Sequence, residues 1–390
     1  MRKLITKIYQ LSLLLLVFWG GHAWFTWSWD FYENKQKFVL YFLFSTIALF
    51  YALFMRVKIR LSAKLIICIF CYIMASFVNA ATFNSFLFIL FSIIPLIILL
   101  CDNKHCPEHL EFITKALAVI LVPGIFLYGI VVSGHFLPGI PVQYGDLSEN
   151  FSYLFLNHIF LLTNVYWEGE TSRFYSVFLE PGYLGSLLAF ILYANRYDFK
   201  KKYNLIVLLA LVATFSLAGY ITSLIGYLLQ RKHIFRTLMK SAIPVAMISG
   251  ALILFAVNYN NGDNYINVLL VDRLMPSDDG GIKGNTRKSD KLDLQLESTI
   301  RRGEIWFGSH NLADDDVSNA GYKRYLITNG LVPTLLWLIF YLLVGSYCHD
   351  KRYGFGFVFI IALTFLQAAY PNAYSWLIPV FLGVKSYRSL

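Results

Sequence analysis

The chain has 390 residues, of which 57% are hydrophobic and only 14% charged, and its mean hydropathy is +0.58. A soluble domain of that length needs more polar surface, so the composition excludes an ordinary globular protein and predicts an integral membrane protein. The net charge of +10 follows from where the bases fall along the chain and leaves nothing for a nucleic-acid partner to explain.

Apolar runs long enough to cross a hydrocarbon core of about 30 Å, roughly 20 helical residues each, follow one another along the chain. They lack the alternation of barrel strands. The expectation is therefore an all-α, polytopic transmembrane helical bundle of about 11–12 spans, short or re-entrant helices included, forming a single integral membrane domain over 1–390. The first run follows "MRKLITK" without a small-residue cleavage site and is expected to be retained as a span over 8–29. Spans over 38–55, 62–80, 83–101 and 112–133 come next. The segment 134–172 is expected on the outer side. Within it "FSYLFLNHIFLLTNV" puts Phe151, Leu154, Phe155, Ile159 and Leu162 on one helical face, which predicts an interfacial helix or a helix packed on the bundle.

The next span opens at "RFYSVFLEPGYLG", residues 173 to 185, and runs to Ala194, with Pro181 in its first turn and Glu180 capping its outer end. Residues 203–230 start and finish at basic segments yet suffice for only one long helix. "TFSLAGY" supplies a break, so two short helices are expected to meet near Ser216 and Gly219. A span over 241–258 leads into the longest loop, 259–322, where "DKLDLQLESTI" reads as a short amphipathic helix. Spans over 325–345, 354–370 and 374–384 complete the chain.

Seven segments hold 21 of the 33 lysines and arginines: the N-terminus, 56–64, 104–115, 196–202, 231–240, 351–352 and 385–388. Positive charge marks the cytoplasmic side. Both termini are therefore expected in the cytoplasm, and 134–172 and 259–322 outside. The latter loop carries 11 acids against 7 bases. Cys68 and Cys71 fall inside a predicted span, Cys101, Cys106 and Cys348 at the reducing side, and no metal-ligand spacing appears, so neither disulfide nor zinc is expected.

A charge at the membrane edge is a functional candidate by default. Arg173 and Glu180 can face one site, the arginine holding an anionic group and the carboxylate accepting a proton or orienting a hydroxyl; a local salt bridge is the plain alternative. Arg301 has Glu297 one turn before it and is expected to be a solvated helix charge. Arg302 lacks such a partner, has Trp306 four residues on, and is the better ligand contact. Arg273, in "INVLLVDRL", is a third phosphate candidate. His310, in "FGSHNLADDD", is an exposed loop histidine unless the loop folds over the cavity. Asp314, Asp315 and Asp316 lack the alternate spacing of a calcium loop and read as a solvated acidic patch.

Taken in order, these stretches resemble the bacterial O-antigen and capsule polymerases, which share an architecture with the O-antigen ligases. "RFYSVFLEPGYLG" is similar to their recurring arginine, aromatic spacer, Phe-x-Glu-Pro and glycine. "TFSLAGYITSLIGYLL" is similar to the Thr-x-Ser-x-x-Gly-Tyr stretch that follows, and "RGEIW" from Arg302, Gly308 and "NAGYKRYLITNGLVPTLLWLIF" match the order in which that superfamily closes its outer loop. The resemblance covers roughly 173–345. It departs at Ser176, where a small Gly is common, and in having no histidine from 311 to 330, where the ligases carry one; the second departure favours polymerase over ligase.

The resemblance implies a metal-independent glycosyltransferase with no cofactor, in the bacterial inner membrane. It would transfer a growing glycan from undecaprenyl diphosphate to a sugar hydroxyl of another lipid-linked repeat unit at the periplasmic face. The expected roles are Arg173, Arg302 and Arg273 on the diphosphates, Glu180 orienting the acceptor or the arginine, and His310 or an outer-loop acid as base. The expected partners are the undecaprenyl-diphosphate-linked oligosaccharide, the bilayer and a chain-length regulator protein. An O-antigen ligase and a lipid-linked oligosaccharide flippase or transporter are the rival readings.

Overall fold

The computed structural model describes residues 1–27, 34–78, 83–144, 153–165, 173–231, 290–309, 321–367 and 374–386, with scattered positions between 247 and 283. Half of the expected span at 241–258 lies outside them, as do His310 and the acids at 314–316.

The fold is mostly helical. The principal helices are α1 (Arg2–Gly20), α2 (Asn34–Met55), α3 (Ala63–Phe77), α4 (Phe83–Cys101), α5 (Cys106–Val132), α6 (Pro181–Ala194), α7 (Lys202–Ala213), α8 (Leu217–Leu229), α9 (Asp290–Arg301), α10 (Gly321–Asn329), α11 (Leu331–Gly345), α12 (Lys351–Gln367) and α13 (Tyr374–Ser386). Two of them, α1 and α5, are long and apolar enough to cross a membrane, and α10 with α11 would make a third if the bent pair is one span. Shorter apolar helices include α3, α6, α7 and α8.

Helix α6 is the core. From Leu184 to Ala194 every side chain is buried, and α7, α8 and α13 pack around it. The flanking helices are apolar on their outer faces as well: Val119 and Phe126 of α5 are 72% and 71% exposed, and Leu53 of α2, Phe70 of α3, Leu209 of α7 and Phe355 of α12 face out in the same way.

The all-α expectation needs one correction. The stretch expected to form an interfacial helix contains strands β2 (Tyr153–Asn157) and β3 (Leu162–Asn164), which with β1 (Ile140–Tyr144) make an antiparallel sheet in the order β1-β2-β3. Phe155 and Leu162 do point inward, against Trp27 and Leu179. Over so short a run a helical stripe and a strand face select overlapping residues. Pairing with β1 decides the outcome, and Asn157 turns the chain by accepting from the Ile159 amide at 2.8 Å.

Two spans also differ from expectation. Helix α1 stops at Gly20 rather than 29, because His22 (φ 52°) turns the chain so that Ala23 bridges Phe178. The run expected as one span over 325–345 bends by 117° between α10 and α11. Gly330 (φ 83°) makes the bend, and its Cα packs against the backbone of Phe307 and Gly308 so closely that a side chain has no room. The break at "TFSLAGY" falls where the sequence predicts it, between α7 and α8.

At one end of the bundle, buried polar groups join α2 to the α4–α5 turn. Tyr51 Oη donates to Asp102 Oδ2 at 2.6 Å and lies 2.8 Å from His109 Nε2, while His105 Nδ1 is 3.1 Å from Asp102 Oδ1. Burial alone would push Asp102 upward, but His109, Tyr51 and the His105 amide outweigh it and hold the carboxyl below its ordinary range.

Candidate functional site

Residues 173–180 form an extended segment laid beside the turn after α1. Trp24 N donates to Val177 O at 2.9 Å and Leu179 N to His22 O at 3.1 Å. The aromatic residues of the motif are its anchors. Phe174 and Phe178 are fully buried, one against Tyr128 and the other against Phe18. With those two rings fixed, Arg173, Tyr175 and Glu180 are left partly exposed. Ser176 has φ 48° and is fully buried. That left-handed backbone is the physical reason a glycine suits the position.

Arg173 reaches across to the α7–α8 break. Its Nε donates to Thr214 O at 3.1 Å and its NH2 to Phe215 O at 3.0 Å, satisfying carbonyls that the end of α7 leaves without partners. The plain salt bridge to Glu180 is therefore not what fixes it. Two of the guanidinium's five N–H donors are used in this way among the described residues. Burial lowers the Arg173 pKa, repulsion from Arg273 adds to that, and Tyr175, Glu180 and Tyr220 act against it. Arg173, Glu180 and Arg273 thus share one electrostatic neighbourhood, with two tyrosines beside them.

Two helix starts lie beside Arg173. Pro181 opens α6, where its missing N–H is harmless, and Ser216 caps α8 by accepting from the Gly219 amide at 3.2 Å. A Cβ built on Gly219 would sit 2.8 Å from the Gly185 carbonyl carbon, so the first turn of α8 touches the second turn of α6. Helix N-termini carry partial positive charge and free amides. Arg173 lies beside them, and Arg273 and Glu180 both act on its charge. Glu180 occupies the cap position of α6, but its carboxylate does not bond the first-turn amides as expected.

Arg302 is not brought to this site. It lies past the end of α9, more than half exposed, ion-paired with Glu304 at 3.2 Å in a geometry short of a hydrogen bond. Arg301 pairs with Glu297 at 3.5 Å on the solvent side, as expected. His310 lies outside the described residues.

Three residues of the neighbourhood were not picked out from sequence. Tyr220 had a signal, since it ends the Thr-x-Ser-x-x-Gly-Tyr motif, and its Oη donates to Val212 O at 2.5 Å. Tyr175 sits inside the quoted arginine motif. His22, whose ring is 5.6 Å from that of Tyr183 in the first turn of α6, had none, because only the tertiary bridge between Ala23 and Phe178 brings it there. No family model, curated protein or solved structure matches the chain.

Proposed function

We propose that the chain is a polytopic inner-membrane polymerase of the O-antigen or capsule class, acting on undecaprenyl-diphosphate-linked repeat units at the periplasmic face. The single observation that carries the reading is Arg173, held by the carbonyls of Thr214 and Phe215 beside the touching helices α6 and α8, with Glu180 and Arg273 acting on its charge. That arrangement suits a diphosphate, whose oxygens take guanidinium and amide donors. The membrane setting is supported by the outward apolar faces of α2, α3, α5, α7 and α12, which exceed what a soluble surface tolerates.

In the reaction, a hydroxyl of the acceptor sugar forms a bond to the anomeric carbon of the donor glycan while the bond from that carbon to the diphosphate oxygen breaks. Undecaprenyl diphosphate leaves with the electron pair, and Arg173 with Arg273 takes up the charge that develops on it. Glu180, the carboxylate acting on Arg173, accepts the hydroxyl proton. Arg302 holds no diphosphate in this scheme.

The test is deletion of the gene in its host and complementation, read as the surface-glycan ladder on a gel. Wild type restores the ladder; Arg173→Ala and Glu180→Gln, expressed at equal level, leave a single repeat unit on the core. Loss of all glycan in the deletion strain would move the reading to ligase or flippase. The broken α7–α8 pair, an architecture shared with transporters, is the observation that favours the flippase as the second reading. An unchanged ladder would sink both.

A further inference from the structure

The far end of the bundle carries a different collection of charges. Arg196, just past α6, pairs with Asp350 before α12, and Tyr193 Oη donates to Tyr353 O. The last turn of α6 therefore lies beside the start of α12, a helix length away from Arg173. At this end Lys385 of α13 is only 9% exposed. Its Nζ lies 4.0 Å from the centre of the Tyr347 ring, and Lys64 at the start of α3 brings its own Nζ to 4.1 Å from the same ring. Lys351, the first residue of α12, repels Lys64 in turn.

Among the described residues no carboxylate and no hydrogen-bond acceptor reaches the ammonium of Lys385 or of Lys64. Burial acts most against the charge of Lys385, and the like charge of Lys64 adds to it. One aromatic face compensates a cation only modestly, whereas a buried ion without a counter-charge is strongly penalised. Lys385 is buried, whereas Lys64 is only half-buried and opens the pair to a ligand.

We infer that Lys385 and Lys64, flanking Tyr347, form a second binding site, for a phosphate-class oxyanion. Flexible ammonium stems bind phosphate as point charges. The outward faces of α3 and α11, with Ile67, Phe70, Leu338 and Leu342 exposed, give an acyl chain a surface beside the charges. The source that fits is thus the headgroup of an anionic phospholipid, which basic pockets between membrane helices are suited to hold. Free phosphate shares the headgroup chemistry and is separated by the test.

The purified full-length protein is placed in phosphatidylcholine nanodiscs with or without phosphatidylglycerol, and separately titrated with inorganic phosphate. Thermal unfolding and the lipid retained in native mass spectrometry are read. Phosphatidylglycerol is expected to raise Tm and to be retained by the wild type, by Arg173→Ala and by Lys200→Met, an exposed-lysine control. The double variant Lys64→Met with Lys385→Met should lose the effect, with retention down about tenfold or more. Should the double variant not fold, Lys64→Met alone, altering only the half-buried partner, must weaken retention. Saturable stabilisation by inorganic phosphate without a phosphatidylglycerol effect would support the same site with a soluble anion as ligand. No response to either probe, or equal responses from wild type and the lysine variants, overturns the inference. Because Arg173→Ala keeps the effect, failure of the polymerase reading leaves this test intact.

Discussion

Arg173 does two things that the sequence could not separate. It ties the segment before α6 to the carbonyls at the end of α7, and in the proposed function it holds the diphosphate. Hydrogen bonds from a charged group contribute about 1.5–3 kcal/mol each, so Arg173→Ala is expected to lower stability as well as remove the ladder. Arg173→Lys separates the roles, because one ammonium cannot reproduce the guanidinium fork. It should fold better than alanine in a thermal assay and still leave glycan chains short. Ser176 gives an independent check on the same segment. Holding a non-glycine at φ 48° costs on the order of 1 kcal/mol, and the serine hydroxyl recovers little through its 3.3 Å bond to Phe160 O. Ser176→Gly should therefore leave Tm unchanged or raise it.

Among the elements, the pair α6 and α8 depends on two glycines in contact. Gly219→Ala drives a methyl into the Gly185 backbone, and overpacking of that kind costs about 1–3 kcal/mol. A lower Tm with a shortened ladder is expected, since the two helices beside Arg173 must separate. At the other end, Asp102 joins α2 to the α4–α5 turn. Its folded pKa lies below that of the unfolded chain. Its contribution is therefore complete above the ordinary carboxylate range, about pH 4, and is lost as pH falls through the lowered folded value. Asp102→Asn should destabilise the protein at neutral pH by about 3 kcal/mol and flatten its acid unfolding profile.

What could be read from the sequence at this scale was the helical runs and the α7–α8 break, because apolar length and a Ser-x-x-Gly interruption are local signals. The β1–β3 sheet and the bend at Gly330 were not legible. Both depend on partners distant in the chain, β1 for the sheet and Phe307 with Gly308 for the bend. The site shows the same division. Arg173 and Glu180 stood out as charges at the edge of an apolar run, whereas the approach of His22 to the start of α6 and of Arg173 to the end of α7 depends on tertiary contacts. Arg302 read as a stronger candidate than its exposed pairing with Glu304 supports.

For the whole molecule, two ends lie apart along α6, one with Arg173 and one with Tyr353, Asp350 and Lys385, and the proposed function puts the first outside the membrane and the second inside. Labelling tests this directly. A cysteine introduced at Glu297, exposed on α9, should react with an impermeant maleimide in intact cells, and one at Lys200 only after the membrane is opened. The measurement closest to the central claim uses the purified full chain in vesicles with its lipid-linked repeat unit, reading glycan length and released undecaprenyl diphosphate together. The account predicts that wild type lengthens the glycan and releases one undecaprenyl diphosphate for each unit added, and that Arg173→Ala and Glu180→Gln do neither. Lengthening that persists in the Arg173→Ala protein, or wild type that binds the lipid-linked unit and never extends it, would contradict it.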